Sequence, residues 1–133
     1  MRPKAEAGFT VVELMVVLLI LGIIWQIASP SYTDALELSR RDQAAGRLAA
    51  VFEAQRVYWV RHRVFASSLE ELDQARLFDL HAIGQDEPFS YEIAAADSVS
   101  FEGRAVRRDP SAWKGFLSID QSGFLTDEFV PDR

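Results

Sequence analysis

From Phe9 to Ser29 the chain reads FTVVELMVVLLILGIIWQIAS, with an unbroken apolar run of twelve residues from Leu14 to Trp25. As one helix these 21 residues extend about 32 Å at 1.5 Å per residue, which matches the hydrocarbon thickness of a bilayer. No face of such a helix is suited to water, so lipid or other protein must cover it. Arg2 and Lys4 precede the run, and Asp34 and Glu37 are the first charges after it. The positive-inside rule then puts the N-terminus in the cytoplasm and the remainder across the membrane. Trp25 and Tyr32 fall near the far end, where aromatic rings favour the membrane interface.

A cleaved secretory signal and a plain signal-anchor helix both fit the length and hydropathy. A cleavage site of the A-x-A type is missing, and Pro30 crowds the nearest candidate at Ala28-Ser29. Glu13, the single charge between Phe9 and Tyr32, suits neither reading. A carboxylate at depth in a spanning helix costs roughly 2.5–3.5 kcal/mol on insertion scales. The segment holds no Lys, Arg or His to offset it. Its partner must be another chain, a lipid head group or a backbone amine. Cleavage after Gly8 would create such an amine on Phe9, with an ordinary pKa of about 8. The amine of one copy meeting Glu13 of the next would turn a buried penalty into a register device. This charge accounting points to assembly.

Gly8-Phe9-Thr10-Val11-Val12-Glu13-Leu14 and the apolar run after it resemble the class III signal sequence of type IV prepilins and pseudopilins. Gly22 within the run, the stretch Ile27-Ala28-Ser29-Pro30-Ser31-Tyr32 and the eight-residue leader with its two basic residues extend the resemblance. It implies that a prepilin peptidase cuts between Gly8 and Phe9 and methylates the new amine, which keeps its positive charge. It implies that Glu13 is the assembly carboxylate and that Pro30, which lacks an N–H, bends or locally melts the long helix. The partners implied are that peptidase, other pilin subunits, an assembly ATPase and a platform protein. The implied course runs from a single-pass inner-membrane precursor to an extracellular pilus or a periplasmic pseudopilus.

The remaining sequence fits an α+β pilin fold, with a long N-terminal helix packed on a small C-terminal antiparallel sheet. The expected divisions are a cleaved leader at 1–8, a membrane or filament-core helix at 9–32 and a soluble head at 33–133. In the head the helix continues to about 62, with Leu48, Phe52 and Trp59 on one face near Val51 and Tyr58. Arg40, Arg41, Arg47, Glu53 and Arg56 fill the other directions. Ser67-Ser68-Leu69-Glu70-Glu71-Leu72 reads as a capping box opening a short helix over about 68–78. Alternation at 89–93, 99–102 and 116–119, with turns at Asp97-Ser98 and Asp120–Gly123, predicts a meander of three or four strands over about 89–127.

Charge is segmented along the chain: residues 33–69 hold six arginines against four acids, and residues 70–133 hold six basic groups against fourteen acids. That acidity argues against nucleic acid, although Arg56, Arg61 and Arg63, or Arg104, Arg107 and Arg108, would make small basic patches beside Tyr58 and Trp59. Contacts between the unlike surfaces of neighbouring copies explain the same arginines. The absence of cysteine excludes disulfides, thiolate metal sites and thiol nucleophiles, so the loop disulfide of many major pilins has no counterpart. A Trp-Gly-x-Pro-Tyr segment like that of major type II secretion pseudopilins is also missing, with Asp86-Glu87-Pro88-Phe89 near its place. Asp120, Asp127, Glu128 and Asp132 offer oxygen atoms for calcium, but their spacing reads better as a solvated acidic tail. His62 and His81 lie far apart in sequence and form no catalytic or metal pair. The sequence calls for no catalytic residue, metal or cofactor. It leaves three readings: a filament subunit, a type II secretion pseudopilin, or a single-pass anchored binding domain that never polymerises.

Overall fold

The computed structural model describes residues 9–84, 87–109 and 113–131, and leaves out the side chains of 29–31 and 131. Its first element, α1, runs from Val11 to His62 over 52 residues. The chain divides into two compact units, with the boundary between Glu37 and Leu38, so α1 contributes to both.

The first unit is the apolar part of α1. Its most hydrophobic 18-residue window has none of its side chains buried, and by length and composition it can cross a membrane. This follows from the sequence: an apolar surface running all the way round cannot be covered by the few other residues of that unit.

In the second unit the periodicity of α1 becomes visible. Ala44, Leu48, Val51 and Gln55 are all buried, at spacings of four, three and four residues, which is one stripe of a helix. The stripe packs on an antiparallel sheet of strand order β1-β2-β4-β5. These strands are β1 (Phe89–Ala96), β2 (Phe101–Arg107), β4 (Phe116–Asp120) and β5 (Leu125–Asp127). The expected α+β architecture, a long helix on a small antiparallel sheet, is therefore what the chain adopts. In β2, Phe101, Gly103 and Ala105 face inward and Glu102 and Arg104 alternate outward. A Cβ at Gly103 would lie 3.4 Å from Ile119, 3.7 Å from Val51 and 3.8 Å from Leu48, so the helix crosses the sheet where its side chain is smallest. Leu48 and Val51 are fully buried, whereas Phe52, Tyr58 and Trp59 are half-buried at the margin of the stripe.

Arg41 and Arg47, expected in solvent directions, form ion pairs with residues distant in sequence. The Arg41 guanidinium holds Asp127 on β5, with Nε 2.7 Å from Oδ2, and Arg47 Nε lies 2.9 Å from Glu87.

The short helix α2 covers Leu69–Gln74 and ends four residues before the expected stop. Ser68 Oγ accepts from Glu71 N–H, and the Glu71 carboxylate reaches back to Ser67, so the capping box forms with its reciprocal bond one residue upstream. The early stop is a Schellman closure: Leu77 N–H donates to Leu72 carbonyl at 3.0 Å and Arg76 N–H to Asp73 carbonyl at 2.9 Å. Arg76, with φ 56°, takes the left-handed position usually given to glycine.

A second sheet, absent from the sequence expectation, pairs β3 (Trp113–Lys114) with β6 (Val130–Pro131). Gly115 beside it has φ 123°, and a Cβ there would fall 2.0 Å from Glu128 carbonyl oxygen, so only glycine fits. Trp113 stacks on Phe129 with ring centroids 5.2 Å apart.

Candidate assembly segment and head surface

At the start of α1 the chain uses Thr10 as its cap. Thr10 Oγ1 accepts from Glu13 N–H at 3.2 Å, while Glu13 Oε2 accepts from both Thr10 N–H and Thr10 Oγ1–H at 3.0 Å. This is a reciprocal capping box, in which two of the otherwise unpaired donors of the first turn are satisfied. The carboxylate also faces the positive end of the helix dipole. A backbone amide of its own chain thus holds the Glu13 carboxylate without supplying the positive charge that the sequence expectation asks of a partner. The pattern Thr-x-x-Glu was the available signal, although it ran into the apolar run and read as part of one motif. No cationic group stands within the segment, so the formal charge of Glu13 stays uncompensated there.

Phe9 precedes this box and is 84% exposed. Gly8 and the expected leader lie outside the described residues. Position 30 lies within α1, whose helical assignment continues through it, while the Pro30 side chain is outside the description. Gly22 meets nothing within 4 Å of a built Cβ. The segment therefore presents an apolar helix, one carboxylate at its capped end and an exposed aromatic residue just before it.

Four of the head arginines weighed as basic patches, Arg56, Arg63, Arg104 and Arg107, have partners within the head. Arg56 pairs with Glu53 at 3.6 Å and lies over Phe52, and Arg104 pairs with Glu102 at 2.8 Å and lies over Phe116. Arg107 donates to Pro88 carbonyl at 3.0 Å, and Arg63 sits 5.0 Å above Trp59. Cation–π seating and hydrogen bonds account for their positions. The His62 ring packs tilted against Tyr58, with centroids 4.3 Å apart, and His81 lies in a single 3-10 turn, Leu80–Ala82, capped by Asp79.

Two of the acidic residues considered for calcium, Asp120 and Asp127, are used inside the fold. Asp120 accepts from Ser122 and Phe124 N–H at 2.8 and 3.1 Å, closing the β4–β5 turn, and these bonds, that from Ser122 Oγ foremost, hold its carboxyl below the ordinary range. Asp127 holds Arg41 and accepts from Phe129 N–H. Asp86 and Asp132 lie outside the described residues. Among the described residues there is no group of three His, Asp or Glu placed to hold a metal ion.

The prokaryotic N-terminal methylation motif matches residues 3–24. Over 47 residues the chain is 46% identical to the type IV major alpha-pilin of Moraxella bovis and equally to fimbrial protein Q of the same species, covering 35% of this chain and 30% of either relative. It is 36% identical over 126 residues to the type IV major pilin protein PilA of Myxococcus xanthus, covering 94% of this chain and 54% of that protein. The chain thus spans about half or less of the length of these relatives.

Proposed function

Since the chain belongs to the type IV pilin family, we propose that it is a structural subunit of a type IV pilus-like filament, matured by a prepilin peptidase after Gly8. The observation that carries this reading is the apolar part of α1: a window of 18 residues exposed all round, with one charge held at its capped N-terminal end. A helix of this kind is stable in a bilayer and equally stable among copies of itself. The same segment then serves as anchor for the precursor and as core of the filament. Relatives named as pilus subunits support the filament over an anchored domain that stays single, and over a catalyst.

Assembly replaces lipid by neighbouring helices around Glu13. Both Thr10 bonds fall on Oε2, and in the filament Oε1 takes the methylated Phe9 amine of the next copy. The pair compensates the charge that the segment itself leaves open, and it fixes the register of one copy on another. Pro30 bends the helix between the filament core and the head. The assembly ATPase and the platform protein supply the work, and this chain supplies shape, register and surface.

Two substitutions test the reading in sequence. Gly8→Leu should leave a precursor of unaltered length in the membrane, and normal maturation of that variant would refute the peptidase step. Glu13→Ala should mature normally yet enter filaments at least about tenfold less well, since an unpaired amine in an apolar core costs several kcal/mol. Unchanged incorporation, measured by shearing filaments from cells and comparing them with the membrane fraction, would refute the pairing.

A further inference from the structure

The filament reading accounts for the exposed apolar half of α1, but the head carries a second exposed apolar surface. It lies at the C-terminal end of α1. Val57, Trp59, Val60 and Phe65, with Glu53 and Arg56, line an open groove of about 390 Å³. Val60 is 67% exposed, and the turn beside the groove carries Val99, 76% exposed. The walls are fixed. Trp59 Nε1 donates to Ser98 carbonyl at 2.9 Å, Phe65 N–H donates to Asp97 carbonyl at 3.0 Å, and the Phe65 ring packs on Phe101 at 5.0 Å. Asp97 in turn closes its own turn through Val99 and Ser100 N–H, both at 2.7 Å. A preformed groove whose fixed walls leave Val57 and Val60 exposed marks a contact surface.

The charge around the groove indicates its occupant. Arg56 and Glu53 line it, Arg61 and Arg63 stand on the last turn of α1 and just after it, and Asp97 stands on the adjoining turn, three arginines against two carboxylates. Residues 70–133 carry fourteen acids against six basic groups. We infer that this groove docks the acidic surface of a second copy of the chain, formed by residues 70–133. The contact joins two different surfaces, so it repeats from copy to copy without closing, as a fibre requires. The apolar floor excludes water and contributes most of the affinity, while the arginine rim orients the approach. The inference rests on the filament reading for its geometry, but it concerns the head and is measured apart from the stalk.

The test uses the full-length chain in the membranes and filaments of cells that make it, with a benzophenone amino acid at position 60 in place of Val60. Irradiation should give a product of doubled mass whose joined peptide comes from residues 70–133. Arg56→Glu should lower its yield about tenfold, because like charges would then face each other across the contact, and Arg56→Lys should restore most of it. A product joined to nucleic acid, to lipid or to the stalk of the second copy would overturn the inference, as would a yield indifferent to Arg56→Glu. A second probe at Leu18 reports on stalk packing. Doubled product from Leu18 without any from position 60 would sink the head contact alone, whereas product from neither would sink the filament reading as well.

Discussion

Two polar side chains on the same helix, Glu13 and Gln55, show how differently its halves are built. Gln55 is fully buried, and both ends of its amide are used: Nε2 donates to Ala66 carbonyl at 2.9 Å, and Oε1 accepts from Ala66 N–H at 2.8 Å. The head therefore satisfies its buried amide from within, and it ties the chain after α1 back onto the helix. Glu13 accepts two bonds from Thr10, but its charge has no counterpart in the segment. One half of the helix completes its own chemistry, and the other leaves a charge and an apolar surface for another molecule to complete.

The most severe way to break this division is a pair of equal truncations, one in each half. Leu48→Ala removes a fully buried side chain from between Phe89, Phe101 and Leu117 and should destabilise the head by about 2–5 kcal/mol. Leu18→Ala, where the side chain is exposed, should leave head unfolding unchanged. Denaturant unfolding of the full chain in detergent, followed by near-ultraviolet circular dichroism, measures both. An equal loss from Leu18→Ala would mean that the stalk holds up the head, and the division would fail.

A smaller effect sharpens the contrast between the amide and the carboxylate. Gln55→Leu keeps the volume but strands Ala66 N–H and carbonyl in the core, and should cost about 1–3 kcal/mol. Thr10→Val removes a cap and should cost the head nothing, because that bond belongs to the other unit. If Gln55→Leu proved neutral in the same unfolding assay, the amide would be filler and the head would lack the internal clamp described above.

The two halves also differ in how they could be read. The stalk was legible because composition decides it: no arrangement of a twelve-residue apolar run is stable in water. In the head, alternation of apolar and polar residues revealed β1 and β2, and it revealed β4 although Leu117, Ser118 and Ile119 are all buried there. The pair β3–β6 has two residues per strand, too few for any period to appear. The end of α2 was hidden because Arg76, not glycine, adopts the left-handed position. Gln55 was hidden for a related reason. Its amide is fixed by a backbone eleven residues away, and a glutamine between Ala54 and Arg56 carries no sign of that. The Thr10 box was readable in principle, yet a capping pattern merges easily into a processing motif that contains the same residues.

The smallest effect probes how closed the head core is at its margin. Tyr91 projects from β1 beside the Arg47–Glu87 pair, and burial of its hydroxyl, followed by the nearby Glu87 charge, pushes its pKa up to about 12. An unfolded tyrosine ionises near its ordinary value of about 10. The folded state thus favours the neutral phenol. The contribution is fully present below about pH 10 and declines as pH rises from there towards 12. Head stability should fall more steeply over that window in the native sequence than in Tyr91→Phe, which has no proton to lose. Absorbance at 295 nm should show one phenol fewer ionising near pH 12 in the variant, with the alkaline slope of unfolding flattened accordingly. If the phenol missing from the variant's absorbance curve were one that ionises near pH 10, with the alkaline slope of unfolding unchanged, the Tyr91 hydroxyl would be in water. The margin of the core beneath Arg47 would then be open, and the head would be less self-contained than its Gln55 clamp implies.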